Sequence, residues 1–279
     1  MTTRPSSLRR FAYLSREWFH TYAWKRKIRA KTPHGFEMIS GSYSANRAML
    51  TDQFEQEEVA IIQELLKKAD LFVDIGANIG FYSCLALQLG KKVIAIEPKR
   101  ANLNLDLLFE NLAINGWVNG ECEVHPYALS DNTGILKLYG ATGTAASLLK
   151  GWAGHSQRFS EFVPVTCIDK IFSGIASDTR TLVKIDVEGA EYSVLRGAAN
   201  TFDRIHQIDW IIEICLNEYH PNGVNPNYRK TFELMWEHGY KAYTADSRRL
   251  LVHKNDVDSW VNNQSCSLNT INFVFTKKG

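Results

Sequence analysis

The chain has 279 residues, of which 45% are hydrophobic and 22% charged, with a formal net charge of +2. This length and composition are typical of a soluble globular protein built from one large α/β domain or two small ones. Because no segment approaches about 20 consecutive apolar residues, the sequence predicts no membrane-spanning helix.

The first 31 residues hold much of the basic charge, since nine Lys or Arg and one acid give them a local charge of +8. Apolar side chains recur there at helical spacing, at Phe11, Leu14, Trp18 and Tyr22. This pattern predicts a basic amphipathic helix. Its aromatic side chains either pack on the domain or contact an anionic membrane or an acceptor. Nucleic-acid binding is a third interpretation, which no RNA-binding signature supports.

Five cysteines form no CxxC pair, and four of them lie in apolar segments. They are interpreted as small core side chains in a reducing compartment, not as a disulfide or zinc framework. The N-terminal residues contain no secretory apolar region. We therefore expect a cytoplasmic protein, with peripheral membrane contact through residues 1–31 as the open alternative. The sequence does not indicate an oligomeric state.

From residue 54 onward, predicted helices and strands alternate, so we assign 54–279 to one domain and 1–53 to a basic, aromatic N-terminal extension. Helices are predicted at 54–69, 81–90, 102–117, 188–202 and 227–238. Strands are predicted at 71–78, 91–98, 121–130, 134–140, 162–169, 181–187, 208–217, 239–245, 248–254 and 269–278. This alternation favours a parallel, doubly wound sheet. Its last strands follow one another without helices, which predicts an antiparallel pair at the end.

The first predicted core strand ends in a glycine turn, where ligands of parallel sheets bind. Gly76 allows a tight turn and a close backbone approach, and Gly80 allows the next helix to pack nearby. Glu97 ends the second strand, where a carboxylate can accept both hydroxyls of a ribose. The turn lacks the G-x-G-x-x-G pattern of dinucleotide sites and the lysine of a Walker A loop. Asp74 before the turn disfavours a pyrophosphate and suits a cationic nucleoside such as S-adenosylmethionine.

These residues carry a resemblance to a known family. DIGANIGFYS with a downstream IEP resembles class I S-adenosylmethionine-dependent methyltransferases. PYALSDNTG, VPVTCIDKI, VKIDVEGAEYSVLRGA and IIEICLNEYHP are similar to the FkbM family within that class. The resemblance covers roughly residues 55–277. It implies a Rossmann-like fold with a doubly wound, seven-stranded, mostly parallel sheet that has one antiparallel strand. It also implies methyl transfer to an oxygen of a sugar, glycolipid or polyketide-type acceptor.

The resemblance also implies a cofactor site. Residues of the glycine turn would surround the methionine part of S-adenosylmethionine, namely Asp74, Gly76, Asn78 and Gly80. Glu97 would hold the ribose hydroxyls, and Ala128 and Ser130 would lie against the adenine.

Three carboxylates follow the strand 181–185 within six residues. Asp186 at the strand tip is the first candidate for positioning the acceptor or removing its proton, and Glu188 is the second. Glu191, one turn into the helix, is interpreted as a structural cap. His220 is a further candidate base because its ordinary pKa lies near working pH. Glu213 could complete an acidic rim. Such a rim could also hold Mg²⁺, but the spacing does not require a metal, and none is assigned.

We therefore expect an O-methyltransferase that acts on a small-molecule or glycan acceptor, such as a sugar, a glycoconjugate or a related natural product. Two alternatives remain open. One is a methyltransferase-like binding module that has lost catalysis, and the other is an RNA methyltransferase. The absence of an (N/D)PP(Y/F) motif disfavours amino-methylating DNA enzymes.

Overall fold

The computed structural model describes residues 27–41, 47–98, 104–140, 145–154, 160–205 and 207–277. The predicted helix with Phe11 and Trp18 lies outside these residues. The last five residues of the basic segment 1–31, Lys27–Lys31, form a strand. The basic side chains of Lys27 and Arg29 pair there with Glu110 and Glu37.

The strands within the described residues are β1 (Lys27–Lys31), β2 (Glu37–Gly41), β3 (Leu71–Ile75), β4 (Lys92–Ile96), β5 (Cys122–His125), β6 (Ala128–Leu129), β7 (Gly134–Tyr139), β8 (Ser160–Thr166), β9 (Thr181–Ile185), β10 (Ile208–Glu213), β11 (Lys241–Thr244), β12 (Leu251–Val252) and β13 (Asn272–Thr276). The α-helices are α1 (Gln56–Leu66), α2 (Phe81–Gln88), α3 (Asn104–Ile114), α4 (Ile168–Phe172), α5 (Glu191–Arg196), α6 (Ala199–Arg204), α7 (Tyr228–Glu237) and α8 (Lys254–Asn263). A short 3₁₀ turn spans Trp152–Gly154.

Eight of these strands form the central sheet, in the order β12-β11-β13-β10-β9-β3-β4-β5. Five neighbouring strands of this sheet pair in parallel, namely β10, β9, β3, β4 and β5. Strand β13 is antiparallel to both of its neighbours. The predicted mostly parallel, doubly wound sheet is confirmed, but the strand count of seven is wrong. The two-residue strand β12 adds an eighth strand, which is antiparallel to β11.

The central sheet is buried on both faces, as its apolar strands require. Side chains of β9 alternate between two hydrophobic layers, with Val183 in one and Leu182 in the other. The antiparallel strand β13 does the same with Phe273 and Val274. Among the described helices, none is long and apolar enough to cross a membrane.

Two predicted elements are divided in the structure. The strand predicted at 121–130 breaks around Pro126, which has no amide hydrogen to donate to a ladder. Its first half, β5, stays in the central sheet, and its second half, β6, joins a three-stranded sheet with β8 and β7. The helix predicted at 188–202 divides into α5 and α6 at Gly197, where a Cβ would lie 2.4 Å from the carbonyl oxygen of Ser130.

The sequence analysis missed α4 and α8, as well as the β1–β2 hairpin. Because α8 lies between β12 and β13, the final strands do not follow one another directly. The antiparallel pairing predicted for them is nevertheless present. The boundary at residue 54 stays a prediction, although Phe36, Met38 and Met49 before it are buried in the core.

Two asparagines, Asn111 on α3 and Asn115 directly after it, attach β2 to the domain. The amide of Ile39 donates to Asn111 Oδ1 (2.6 Å), and Asn111 Nδ2 donates to the carbonyl oxygens of Ile39 (3.0 Å) and Ile79 (2.8 Å). One helical turn later, Asn115 makes the same paired bonds with the backbone of Glu37 (2.9 and 2.7 Å). The two side chains therefore act as a ladder partner for β2, and Asn111 also connects it to the glycine turn.

Candidate active site

A cavity of about 660 Å³ lies at the carboxyl ends of the central strands. Both acids on which the predicted site depends line it, Glu97 after β4 and Asp186 after β9. Between these strands lies β3, whose glycine turn forms the floor. The cavity therefore occupies the position where parallel sheets bind their ligands.

The glycine turn is held by main-chain bonds from two directions. The amides of Gly76 and Ala77 donate to the carbonyl oxygen of Ile96 (2.9 and 3.0 Å), and the amide of Asp186 donates to that of Ile75 (3.0 Å). Gly76 has a φ of +90°, and a Cβ on it would lie 1.9 Å from the carbonyl oxygen of Asp186. Only glycine fits this position, because the turn and the tip of β9 touch through their backbones.

Asn78 and Glu97 form one unit in the cavity wall. The amide of Asn78 donates to Glu97 Oε2 (2.9 Å), which orients the buried carboxylate. Asn78 has a left-handed backbone, with a φ of 52°. Its side-chain Oδ1 is buried and has no hydrogen-bond partner within the described structure. A buried acceptor without a partner costs about 1–3 kcal/mol, which a bound ligand that supplies a donor would recover.

Two residues next to the glycine turn, Asp74 and Gly80, lie outside the cavity lining, so their positions do not support the cofactor contacts predicted for them. Asp74 is buried and accepts a hydrogen bond from the Ser83 hydroxyl (2.6 Å). Burial raises the pKa of Asp74, and its neighbour in β9, Lys184, opposes that effect. Gly80 has a φ of +89°, and a Cβ there would lie 2.4 Å from Leu108 Cδ1, so it serves helix packing.

The expected adenine wall is present only in part. Ala128 lines the cavity together with Leu129. Ser130 is buried and does not line it. The amide of Ser130 donates to the carbonyl oxygen of Thr166 (2.9 Å), and its hydroxyl lies 3.2 Å from Asp131 Oδ1. Leu129, and not Ser130, therefore accompanies Ala128 in this wall of the cavity.

Asp186 is paired with a lysine that the sequence analysis did not assign. Lys184 Nζ lies 2.8 Å from Asp186 Oδ2, 3.5 Å from Glu58 Oε1 and 4.8 Å from the centre of the Tyr82 ring. Lys184 is only 3% exposed, yet it reaches the cavity. Burial alone would lower the pKa of Lys184, but the charges of Asp186 and Glu58 outweigh it and raise that pKa well above its ordinary value. Lys184 is therefore a cation that orients Asp186.

Glu188 lines the cavity from a strained turn. Its φ is 58°, and Gly189 follows at 93°. Trp152 Nε1 donates to Glu188 Oε2 (2.5 Å), and the indole covers Gly189 so closely that a Cβ there would lie 2.4 Å from Trp152 Cζ3. Burial, and then the charge of Asp186, raises the pKa of Glu188 to about 8. This environment therefore favours the protonated form of Glu188.

Glu191 has a structural role, in agreement with the interpretation from sequence. It is 3% exposed and accepts a hydrogen bond from the amide of Gly189 (2.8 Å). Burial raises its pKa to about 7, and this amide opposes the rise. The side chain folds back on the turn that carries Glu188, so it fixes the geometry of that turn.

The last two predicted residues differ in their positions. Glu213 at the end of β10 lines the cavity, and burial followed by the charges of Asp186 and Glu188 raises its pKa well above the usual value. His220 lies outside the lining, with its ring edge-on to Trp152 at 6.4 Å. The assignment of His220 as a base is therefore not supported by its position. Its neighbour Tyr219 lines the cavity instead.

Among the residues that were not predicted from the sequence are Glu55, Tyr82 and Lys184, which line the cavity, and Trp152, which donates to Glu188. Only Lys184 had a signal in the sequence, because a lysine inside an apolar strand must find a carboxylate. Within the described residues, no three His, Cys, Asp or Glu side chains are arranged to hold a metal ion.

Comparisons with known proteins indicate the family to which the chain belongs. Residues 74–242, more than half of the chain, match the model of the methyltransferase FkbM domain. No curated protein matches the sequence.

Several solved structures are similar in fold. Methyltransferase FkbM from Methylobacillus flagellatus is 21% identical with a TM-score of 0.44, over 74% of this chain and 43% of that one. This chain thus spans less than half of that protein. A SAM-dependent methyltransferase from Agrobacterium tumefaciens is 8% identical, with a TM-score of 0.46 over 89% and 69% of the two chains. The O-methyltransferase from Bacillus cereus in complex with SAH is 12% identical, with a TM-score of 0.43 over 79% and 80%. On the match over residues 74–242, the chain belongs to the FkbM family of S-adenosylmethionine-dependent methyltransferases.

Proposed function

We propose that this methyltransferase transfers a methyl group from S-adenosylmethionine to a hydroxyl oxygen of a sugar, a glycoconjugate or a related natural product. The observation that carries the proposal is that Glu97 and Asp186 line one cavity from the tips of β4 and β9. Because β3 lies between these strands, and adjacent strands are about 4.8 Å apart, the two acids are separated by about 10 Å. That span suits a nucleoside held at one end and reactive at the other.

The residues in the wall fit the cofactor. Glu97 would accept the ribose hydroxyls, and Ala128 with Leu129 would contact the adenine. Gly76 gives the methionine part close access to the turn, and the unpartnered Asn78 Oδ1 would accept from its ammonium group. When bound, S-adenosylmethionine supplies an electrophilic methyl group on a positively charged sulfur.

Asp186 would bind the acceptor hydroxyl and take its proton as the oxygen attacks the methyl carbon. The carbon–sulfur bond breaks with its electron pair on sulfur, which leaves neutral S-adenosylhomocysteine and a methyl ether. Proton removal contributes typically 10²–10⁴-fold to such a reaction, and alignment of the three atoms contributes more. Lys184 would hold the Asp186 carboxylate in place, and Glu188 is the second candidate for contact with the acceptor.

Two related assignments rest on sequence features. The cysteines of the described residues are free thiols, which supports a reducing, cytoplasmic location. Residues 1–26 are basic and would contact an anionic membrane or the acceptor. Deleting residues 1–26, and leaving the β1–β2 hairpin intact, is expected to change membrane or acceptor binding without changing cofactor affinity.

Incubation of the purified protein with S-adenosylmethionine and glycan or glycolipid extracts tests the proposed function. We expect S-adenosylhomocysteine to form, and mass spectrometry to find acceptors heavier by one CH₂ group with the methyl on oxygen. Methylation of RNA alone, or of nitrogen alone, would contradict the proposal. Cofactor binding without any transfer would support the binding-module alternative.

A further inference from the structure

One wall of the cavity comes from residues that precede the family-matched region. Met49, Phe54 and Glu55 line the cavity, although the match to the family begins at residue 74. In the matched region, Phe54 contacts Phe81 and Glu55 contacts Tyr82, and both aromatic residues, on α2, also line the cavity. A wall outside the shared domain is where members of one family can differ in acceptor specificity.

Glu55 has an unusual backbone for its place in the chain. It is the residue before α1, with φ 38° and ψ 48°, and its side chain does not cap the helix. Instead Glu55 Oε2 accepts the Tyr82 hydroxyl at 2.6 Å. A non-glycine residue held in the left-handed region costs of order 1–3 kcal/mol, and such residues cluster at functional sites. The chain thus gives up a local cap and places this carboxylate at the cavity.

Tyr82 connects Glu55 to the centre of the site. Its ring lies 4.8 Å from Lys184 Nζ, and Lys184 in turn holds Asp186. Glu55 therefore lies on the β9 side of the cavity. It is away from Glu97, which follows β4 and binds the ribose in the proposed function. Burial, followed by the charges of Glu58 and Glu55, raises the pKa of Tyr82 well above its ordinary value, so the phenol remains a donor to Glu55.

The charged side chains on the β9 side of the cavity limit which kind of acceptor can bind there. The carboxyl side chains on this side are Glu55, Asp186, Glu188 and Glu213. Lys184, the lysine that lines the cavity within the described residues, is already paired with Asp186 and Glu58. A phosphate or carboxylate on the acceptor would meet the charge of Asp186 and find no unpaired lysine or arginine among the described lining residues. Hydroxyl groups, by contrast, supply the donors that carboxylates bind.

We propose that Glu55 is an acceptor-binding residue that selects an uncharged, polyhydroxylated ring such as a pyranose. Its carboxylate accepts one or two ring hydroxyls, while Phe54 and Met49 contact the C–H face of the ring. This inference rests on the proposed function, since it places the sugar between Glu55 and Asp186. Anionic acceptors such as sugar phosphates and uronic acids are excluded.

Saturation-transfer-difference NMR on the protein loaded with S-adenosylhomocysteine tests the inference. The probes are the methyl glycosides of glucose, galactose, mannose and rhamnose, with glucose 6-phosphate and glucuronic acid as charged counterparts. We expect signal from at least one neutral glycoside and none from the charged probes. Loss of one hydrogen bond to a charged group should make Glu55→Gln bind that glycoside about tenfold more weakly. Glu57→Gln is the matched control, because Glu57 is exposed in the first turn of α1, two residues after Glu55, and does not line the cavity.

Three outcomes would overturn the inference. They are no signal from any neutral glycoside, equal binding by the Glu55→Gln and Glu57→Gln variants, and weaker S-adenosylhomocysteine binding by Glu55→Gln, which would place Glu55 at the cofactor. The proposed function fails separately. Glycoside binding that depends on Glu55 without methyl transfer would contradict the function and leave the inference standing. If the Glu55→Gln variant methylates a glycoside with the same rate and KM as the wild type, the proposed function stands and the inference about Glu55 fails.

Discussion

The carbonyl oxygen of Asp186 occupies the space that a side chain on Gly76 would need, only 1.9 Å from an ideal Cβ. The turn proposed to receive the cofactor and the strand tip that carries the candidate base are thus in main-chain contact. Any residue larger than glycine must separate them, so the proposed cofactor site and the proposed catalytic site depend on one position in the chain.

The substitution Gly76→Ala is expected to destabilise the protein by more than about 3 kcal/mol, since it combines left-handed strain with a backbone clash. Gly90→Ala is the control, because Gly90 also has a positive φ (+73°) but no atom within 4 Å of its Cβ position. That change should cost only about 1–2 kcal/mol. Chemical unfolding of both variants measures the difference, and equal losses would show that the contact with Asp186 is unimportant.

The substitution Glu97→Ala is expected to weaken S-adenosylhomocysteine binding. Two hydroxyl bonds to a carboxylate are removed, so the affinity should fall by about 10- to 100-fold, from roughly 1.5–3 kcal/mol. Isothermal titration calorimetry measures this. Glu123→Ala serves as the control, because that side chain on β5 is 66% exposed and outside the cavity lining. An affinity unchanged in the Glu97 variant would remove the ribose assignment.

The sequence predicted the parts of the site that follow from a strand and its end. Gly76, Glu97 and Asp186 each come directly after a buried strand, and parallel pairing brings such positions to one edge. It could not predict which turn residues face the ligand. Asp74 and Gly80 lie within four residues of Gly76 in the sequence. Asp74, however, accepts a hydrogen bond from Ser83, and Gly80 packs closely against Leu108.

Residues distant in the chain were missed for a different reason. Trp152 reaches Glu188 across 36 positions, and Glu55 reaches Tyr82 across 27. Neither pair shares a strand or a helix, so no periodicity connects its members. The β1–β2 hairpin was missed because the free edge of β2 bonds to the side chains of Asn111 and Asn115, and not to a third strand.

The substitution Asp186→Asn is expected to leave S-adenosylhomocysteine affinity unchanged and to lower kcat by about 10²–10⁴-fold, the usual contribution of a general base. Asparagine keeps the shape of the side chain but not the charge that faces Lys184. The rate is measured with a glycoconjugate that the wild-type enzyme methylates, and thermal unfolding checks that the variant is folded. Asp209→Asn is the control, because Asp209 lies near the start of β10, at the end of the strand away from Glu213, and does not line the cavity. A kcat equal to that of the wild type would exclude Asp186 as the base.

The raised pKa of Glu191 predicts how stability changes with pH. The folded-state pKa is about 7, against 4.5 for the ordinary group. Between these values the folded protein binds more protons than the unfolded chain, so this group lowers stability as pH rises from about 4.5 to about 7. Above pH 7 its contribution is constant.

Glu191→Gln removes this titration and keeps an oxygen that accepts from the Gly189 amide. Relative to the wild type, the variant should therefore gain stability as pH rises across that range, by on the order of 2–3 kcal/mol. Urea unfolding at a series of pH values measures the gain. A stability difference that is independent of pH would show that folding does not shift the pKa of Glu191. Glu191→Leu is a second comparison, which should be less stable because the Gly189 amide loses its acceptor.

The bonds of Asn111 and Asn115 to β2 predict which attachment of the N-terminal hairpin affects cofactor binding. Asn111→Ala removes three bonds to backbone groups, including the one to Ile79 in the glycine turn. Asn115→Ala removes the paired bonds to Glu37 and touches no residue of that turn. Both variants should expose β2 to hydrogen exchange. Only Asn111→Ala should also weaken S-adenosylhomocysteine binding, because the amide of Asn78, next to Ile79, orients Glu97. If both variants lose affinity equally, the hairpin acts on the site as a whole and not through Asn111.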